Sequence, residues 1–434
     1  MSPADPALIR GLALFGPLLA LAAAVALRRR SGRRSGRASE PGAETGAAVV
    51  ATAWTAASLY ALNQLAPAAG WWHFAADGAL ARGLPVDLWI GWAVLWGALP
   101  ALAARGLPLA LTAAAAAWLD LALMPLAEPV VVLGPNWLAG EAVAVAGCLL
   151  PAVLLARWTA ERRRPRARAA AQALLAGALM LALPLHLLGA EPAWPAPATG
   201  VLVQLLALVL LPGLAAAAEF ARTGGGTPLP YDPPVRLVTS GPYAYVRNPM
   251  QLAMALAYPL CALAAAEPRL LAGTAAALAC GGLAAWHENG RLDRAFGPGW
   301  RRYRRAVRPW LPSWRPWPGR PAARLYLAGT CSMCRGLGRW LAVRGPVALE
   351  LLPAEEHGAP DRMTYTCGPE TRTGTAALAR ALEHLHLGWA LLGWALALPG
   401  AGRFVQLCAD AFGAGPRTLR PAAPPPGRPG AGAR

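Results

Sequence analysis

Nine predominantly apolar runs, each about as long as a bilayer is thick, constrain this chain more than any other feature. They lie at about 7–27, 47–66, 86–104, 107–127, 137–157, 169–189, 198–221, 249–266 and 269–287. A helix satisfies its backbone polar groups within one segment, and roughly 20 apolar residues cross about 30 Å of hydrocarbon. The expected fold is therefore an all-α polytopic membrane protein with about nine transmembrane helices. Hydrophobic residues make up 56% of the chain and charged residues only 14%, against roughly 25% charged in soluble domains. Such hydrophobicity excludes disorder for most of the length. Seven cysteines in 434 residues are too sparse for a disulfide scaffold.

A net charge of +18 invites a nucleic-acid reading, but its distribution argues against one. All 40 basic residues are Arg and Ile occurs only at Ile9 and Ile90, a compositional skew that strips the choice of Arg of chemical meaning. The Arg residues sit between apolar runs. With nine spans, Arg28–Arg37, Arg105, Arg157–Arg168, the trio Arg222, Arg236 and Arg247, and the Arg-rich stretch after 287 all fall on one side. Loops 67–85, 128–136 and 190–197 fall on the other and carry little positive charge. The positive-inside rule then predicts a multi-pass protein of the inner (plasma) membrane, with an external N-terminus, a cytoplasmic C-terminal domain and no nucleic-acid partner. The first run is expected to be a span, because no small-residue cleavage site precedes its basic flank.

Four regions are expected: five membrane helices over 1–160, a second membrane domain over 161–318, a small domain over 322–417, and a Pro/Gly-rich disordered tail over 418–434. No fixed-period repeat is present.

The segment 236–254 reads RLVTSGPYAYVRNPMQLAM. Gly241-Pro242 marks a turn, and Asn248-Pro249 looks like an N-cap followed by Pro at the first helical position. A helix start at the cytoplasmic boundary is a ready anion site, with Arg247 beside it. Tyr243 and Tyr245 offer faces suited to a cation. An anion seat beside a cation seat fits a zwitterion with a second positive centre. After the last run comes WHENGRLDRAFGPGWRRYRRAVRPWLP, 286–312. Gly297-Pro298-Gly299 breaks the helix, and Trp300, Tyr303 and Val307 form an apolar stripe opposite four Arg residues. This predicts an amphipathic hairpin on the membrane surface, with Glu288 close in depth to Arg247.

Together these two stretches resemble the isoprenylcysteine carboxyl methyltransferase and phospholipid methyltransferase superfamily, over about 165–315. Its pattern is G-P-Y-x-x-x-R-H/N-P-M-Y, then a Glu-Glu pair, an F-G-x-x-Y-x-x-Y segment and a Pro-terminated stretch. The resemblance implies S-adenosylmethionine as cofactor and a lipophilic acceptor (isoprenoid, lipid or prenyl-type carboxylate). It implies catalytic roles for Arg247 and Glu288, and cofactor binding by Tyr243, Tyr245, Arg247, Asn248, Pro249, Glu288, Asn289, Trp300 and Tyr303. Three departures stand out: Asn289 replaces the second Glu, Gln251 the usual Tyr, and Trp300 the first Tyr of the later segment. The first removes a charge from the expected cofactor site.

Residues 324–328 read as a strand, Gly329-Thr330 as a turn, and Cys331-Ser-Met-Cys334 as the start of a helix through about Val343. A strand followed by Cys-x-x-Cys at a helix start is a thioredoxin-like redox arrangement, in which the dipole and Arg335 favour a thiolate. Further strands are expected at 347–352 and 363–366 and a helix at 373–386, giving an α/β thioredoxin-like domain. The stretch resembles the DCC-type thiol–disulfide oxidoreductases, with Ala328 and Thr330 where that family usually has Asp. Zinc would need two more ligands from Cys367, His357, His384 and Cys408, none paired at metal spacing, so no metal site is assigned. The alternative function is thus a membrane-anchored thiol–disulfide oxidoreductase using Cys331 and Cys334.

The first five runs hold His73, Asp87, Asp120, Glu128 and Glu141 at or near membrane depth, among many Trp residues. Ionisable groups inside spans are functional candidates. Asp120 lies deepest. The others cluster near the outer boundary, where an aromatic belt is expected. A transporter is a third reading for this region, which carries no family resemblance.

Overall fold

The computed structural model describes residues 5–35, 41–104, 106–228, 232, 234–356, 361–398 and 400–416. Arg105, His357, part of the first basic run and the tail expected to be disordered lie outside the described residues. The protein is a helical, membrane-embedded protein. Among the described residues, eight helices are long and apolar enough to cross a bilayer: Pro6–Arg30, Gly42–Leu65, Val86–Ala103, Leu109–Ala127, Trp137–Ala160, Pro165–Leu187, Ala196–Gly224 and Pro268–Ala306.

The expected run at 249–266 becomes the helix Pro249–Ala265, 17 residues long and closed by Ala266 in the left-handed conformation (φ 49°). It is shorter than the eight, so the count of nine is corrected to eight long helices plus one short one. A bent pair, Leu387–Leu396 and Ala401–Gly413, meets at 91° and is together apolar enough to count as a broken span.

Proline shapes several helices. The π-helical turns Val94–Ala98, Val145–Leu149 and Gly177–Ala182 each end two residues before a proline, at Pro100, Pro151 and Pro184. A proline ring clashes with the carbonyl four residues earlier and cannot donate to it. The wider π turn moves that carbonyl aside. The carbonyl freed by Pro151 belongs to Gly147, and Trp54 Nε1 donates to it at 3.1 Å.

The chain forms two compact units. The first comprises 1–192 and 220–236. Its core packs Leu59, Leu62, Trp72, Leu88, Trp96, Met124, Val131 and Leu149. Two loops at one end of its helices pair as short antiparallel strands, Trp72–Phe74 with Val131–Leu133. Arg168, which counted among the orientation charges, is buried against Asp232.

The second unit comprises 193–219 and 237–434. Its helix Pro249–Ala265 packs against both Ala196–Glu219 and Leu271–Ala306. Gly273 is needed there, since a Cβ would lie 2.3 Å from the Tyr258 ring. The expected break at Gly297-Pro298-Gly299 is present as a kink: Gly297 has φ 47° and ψ −122° within one helix running from Leu271 to Ala306. Trp300, Tyr303 and Val307 then bury against Leu237, Leu292, Phe296 and Trp317.

The C-terminal strands form one four-stranded sheet in the order Leu349–Pro353, Ala323–Leu327, Thr364–Cys367, Glu370–Thr373. The first two are parallel, as the intervening helix Ser332–Val343 requires, and the remaining pairs are antiparallel. Glu370–Thr373 adds a strand where none was expected, and the next helix is confined to Thr375–Leu382.

Buried charges tie this sheet to the helices of its own unit. Arg380 meets Glu219 (3.2 Å), Glu370 (3.1 Å) and Glu383 (2.6 Å). Arg372 adds to Glu370 and Arg320 to Glu383. Three guanidinium groups thus meet three carboxylates. His384 has its Nδ1 on the Val347 carbonyl at 2.7 Å and its Nε2 on the Tyr365 hydroxyl at 3.0 Å. Leu211, Ala244, Tyr245, Ala390 and Trp394 form an apolar cluster beside it.

Candidate functional site

The turn Gly241–Ala244 opens the site. Gly241 has φ 59°, and a Cβ there would lie 3.1 Å from Glu219 Cγ. Both constraints demand glycine. Ser240 Oγ donates to the Glu219 carboxylate, so the turn rests on the ionic network.

The two motif-bearing stretches meet. Tyr303 Oη donates to the Tyr243 carbonyl at 2.8 Å. The Arg247 amide donates to the Arg308 carbonyl at 2.9 Å, and the Asn248 amide to the Pro309 carbonyl at 3.2 Å. Ser313 and Trp317 amides donate to the Tyr245 and Ala244 carbonyls at 2.9 and 2.8 Å. The four backbone bonds fix residues 244–248 against 308–317 independently of side-chain rotamers.

Three donors at this junction have no acceptor: Arg247 Nε, Asn248 Nδ2 and Trp300 Nε1 are buried without a hydrogen-bond partner. Leaving buried donors unmade costs about 1–3 kcal/mol each. Asn248 is the N-cap of Pro249–Ala265, as expected, but its side chain makes no capping bond. Pro249 occupies the first turn and is buried. The Arg247 guanidinium lies 6.0 Å from the Trp300 ring centroid. Burial, and Arg304 nearby, hold it below its ordinary pKa, against the opposing influence of Tyr303.

Tyr243 is fully buried, and its phenol is held above its ordinary pKa by that burial, by Tyr303 and by the carboxylates of Glu219 and Glu288. Glu288 therefore shares the neighbourhood of Tyr243. It and Asn289 are half-buried on the long kinked helix. Among the described residues neither Arg247 nor Glu288 forms an ion pair. Tyr245 stands apart from the group. Its ring packs edge-on to Trp394 at 5.9 Å and its hydroxyl donates to the Glu383 carbonyl at 3.0 Å.

The second candidate is the Cys-x-x-Cys. Cys331 is the N-cap of Ser332–Val343, and its Sγ accepts from the Cys334 amide at 3.4 Å. Cys331 is buried and Cys334 half-buried. They face a cleft of about 170 Å³ lined also by Met333, Leu337, Met363 and Leu378. Sequence reasoning missed Glu355. Its carboxylate accepts from the Gly329 and Thr330 amides at 3.1 and 3.2 Å, immediately before Cys331. Those bonds hold its pKa below the ordinary carboxylate range. The absence of Asp at 328 and 330 was the available signal, because the turn then needs an acceptor from elsewhere. Among the described residues no group of three or more metal-capable side chains converges. His384, a weighed zinc ligand, spends both ring nitrogens on protein partners.

Comparison with protein-family models, with curated proteins and with solved structures gives no match for this chain.

Proposed function

We propose that the protein is an integral membrane methyltransferase using S-adenosylmethionine on a lipophilic acceptor, with its site at the cytoplasmic edge of the membrane. The observation that carries this reading is the junction of 241–249 with 300–317, where Arg247 Nε, Asn248 Nδ2 and Trp300 Nε1 lack acceptors. Three such donors fit the carboxylate of an amino acid moiety. Glu288, without an ion-pair partner among the described residues, suits the amino group or ribose. Tyr243, Pro249, Asn289 and Tyr303 would wall the same site. Tyr245 is better suited to holding the turn in place.

S-adenosylmethionine supplies an electrophilic methyl group on a sulfonium. A carboxylate acceptor needs no general base, so the chain's part is orientation and exclusion of water. Counting the 17-residue Pro249–Ala265 helix, at the lower limit for a span, gives nine crossings. The basic segments then share the cytoplasmic face with the C-terminal domain of an inner (plasma) membrane protein.

Isothermal titration of the detergent-solubilised chain with S-adenosylmethionine tests the reading. Binding is expected in wild type and at least about tenfold weaker in Arg247→Ala and Glu288→Ala. No binding in wild type overturns it. Label transfer from the cofactor's methyl group into a lipid extract would identify the acceptor.

The N-cap position of Cys331 favours a second reading: a thiol–disulfide oxidoreductase in a thioredoxin-like domain. The strand–helix–strand unit with parallel pairing supports it. A Cys331→Ser variant that loses all activity while S-adenosylmethionine binding is unchanged would make this the principal function.

A further inference from the structure

The first unit contains a pair of acids that the methyl-transfer reading does not use. Asp120, on Leu109–Leu123, and Glu141, on Trp137–Ala144, are 2% and 4% exposed. The two side chains are neighbours on the wall of one cavity. Trp92 Nε1 donates to Asp120 Oδ1 at 2.6 Å. Among the described residues neither carboxyl group meets a basic side chain. Two buried acids side by side repel each other when ionised, so the pair favours a positive group beside it.

Both line a cavity of about 50 Å³ walled by Trp72, Trp89, Trp92 and Trp96. Two polar atoms of that wall are buried and unpartnered: Glu141 Oε1, an acceptor, and Trp96 Nε1, a donor. Trp96 is 1% exposed. Since a water-sized group needs about 10–15 Å³ on this measure, the space suits a body of about four non-hydrogen atoms. The cavity lies under the paired strands that carry Trp72 and Val131. The Arg residues at that end are engaged: Arg10 on Asp87 at 2.6 Å, and Arg82 on the His186 carbonyl at 2.8 Å.

From this geometry we propose that the first unit binds a small primary ammonium compound carrying a hydrogen-bond acceptor. The ammonium donates to Glu141 Oε1 beside the Asp120 carboxyl group. Its alkyl part lies against the indole faces, where a cation is stabilised, and its acceptor receives a hydrogen bond from Trp96 Nε1. A free amine and an aminophospholipid head group offer the same chemistry.

The full chain in detergent is titrated calorimetrically with ethanolamine, methylammonium, tetramethylammonium and sodium chloride. Ethanolamine is expected to bind, and methylammonium more weakly because it lacks the acceptor. Tetramethylammonium cannot donate a hydrogen bond and should not bind. Glu141→Gln is expected to weaken ethanolamine binding about tenfold or more. Trp96→Phe, which keeps both carboxyl groups should Glu141→Gln fail to fold, is expected to weaken it about threefold and to leave methylammonium unchanged. Equal binding of sodium, no binding of any amine, or ethanolamine affinity unaffected by both variants would overturn the proposal. Repeating the titration in nanodiscs with and without phosphatidylethanolamine separates the two sources. Competition by the lipid assigns the head group, and unchanged affinity assigns the free amine.

Discussion

Each unit buries a cluster of acidic groups, and the two clusters are treated in opposite ways, although the first unit also pairs Asp232 with Arg168. In the second unit Glu219, Glu370 and Glu383 meet Arg380, with Arg372 and Arg320 completing the balance. In the first, Asp120 and Glu141 meet each other, a tryptophan N–H and a cavity. A buried charge costs several kcal/mol unless it is paired. The saturated cluster therefore reads as architecture, fastening sheet to helices. The unsaturated pair reads as a cost retained for a ligand. The unpartnered groups differ as well: the junction at Arg247 has spare donors, and the Glu141 cavity a spare acceptor together with the donor Trp96 Nε1.

Arg380→Met is the largest test of that comparison. It strips the charge that three buried carboxylates share, so the second unit should lose about 3–5 kcal/mol, measured by denaturant titration in detergent. A loss under about 1 kcal/mol would show that the network is not structural.

The next effect is a pH dependence. His384 is buried and beside Arg320 and Arg380, and its pKa is held well below the ordinary value, first by desolvation and then by Arg320. Below about pH 6.5 the unfolded chain takes up a proton that the folded one refuses. Stability from this group is thus complete above that pH. It falls as pH drops, by up to about 1.4 kcal/mol per pH unit. His384→Asn should flatten that slope in the same titration.

Glu141→Gln is expected to go the other way. It orphans no cation, so stability should stay level or rise by up to about 1 kcal/mol while ammonium binding falls. A loss above about 2 kcal/mol would make the carboxylate structural and collapse the contrast between the units.

Glu355→Gln should be smallest, within about 0.5 kcal/mol, because the group is largely solvated. Its folded pKa is depressed, so its contribution is present above the ordinary Glu value and lost as pH falls through the folded one. The readout is thermal unfolding together with the alkylation rate of Cys331.

Much of the fold was legible because its causes are local. Apolar runs long enough to cross a bilayer became helices, Gly297-Pro298-Gly299 became a kink, and Asn248-Pro249 began a helix. Cys331 took its place at a helix start after a strand. Turn chemistry, proline geometry and run length act over a few residues. The strand Glu370–Thr373 was not legible, because its pattern ETRT has no apolar alternation and its formation depends on pairing with Thr364–Cys367.

The candidate sites divide in the same way. The family resemblance put Arg247 and Trp300 into one expected group, but the bonds from 303–317 to 243–248 are tertiary facts. Glu141 looked like an interfacial acid from its distance to the run's end. Helix packing turned it inward onto Asp120. Tyr245 looked like part of a cation seat, and packing gave its ring to Trp394. Arg168 looked like an orientation charge, and folding paired it with Asp232.

The amino-acid order by itself determined that this is a helical membrane protein, where its helices bend, and which residues stand at helix starts. These follow from hydrophobic length and backbone sterics, both of which act along the chain. Only the tertiary structure decided which charges are neutralised and which are left facing a cavity. That outcome depends on which faces of distant helices meet, and helical periodicity specifies a face without naming its partner.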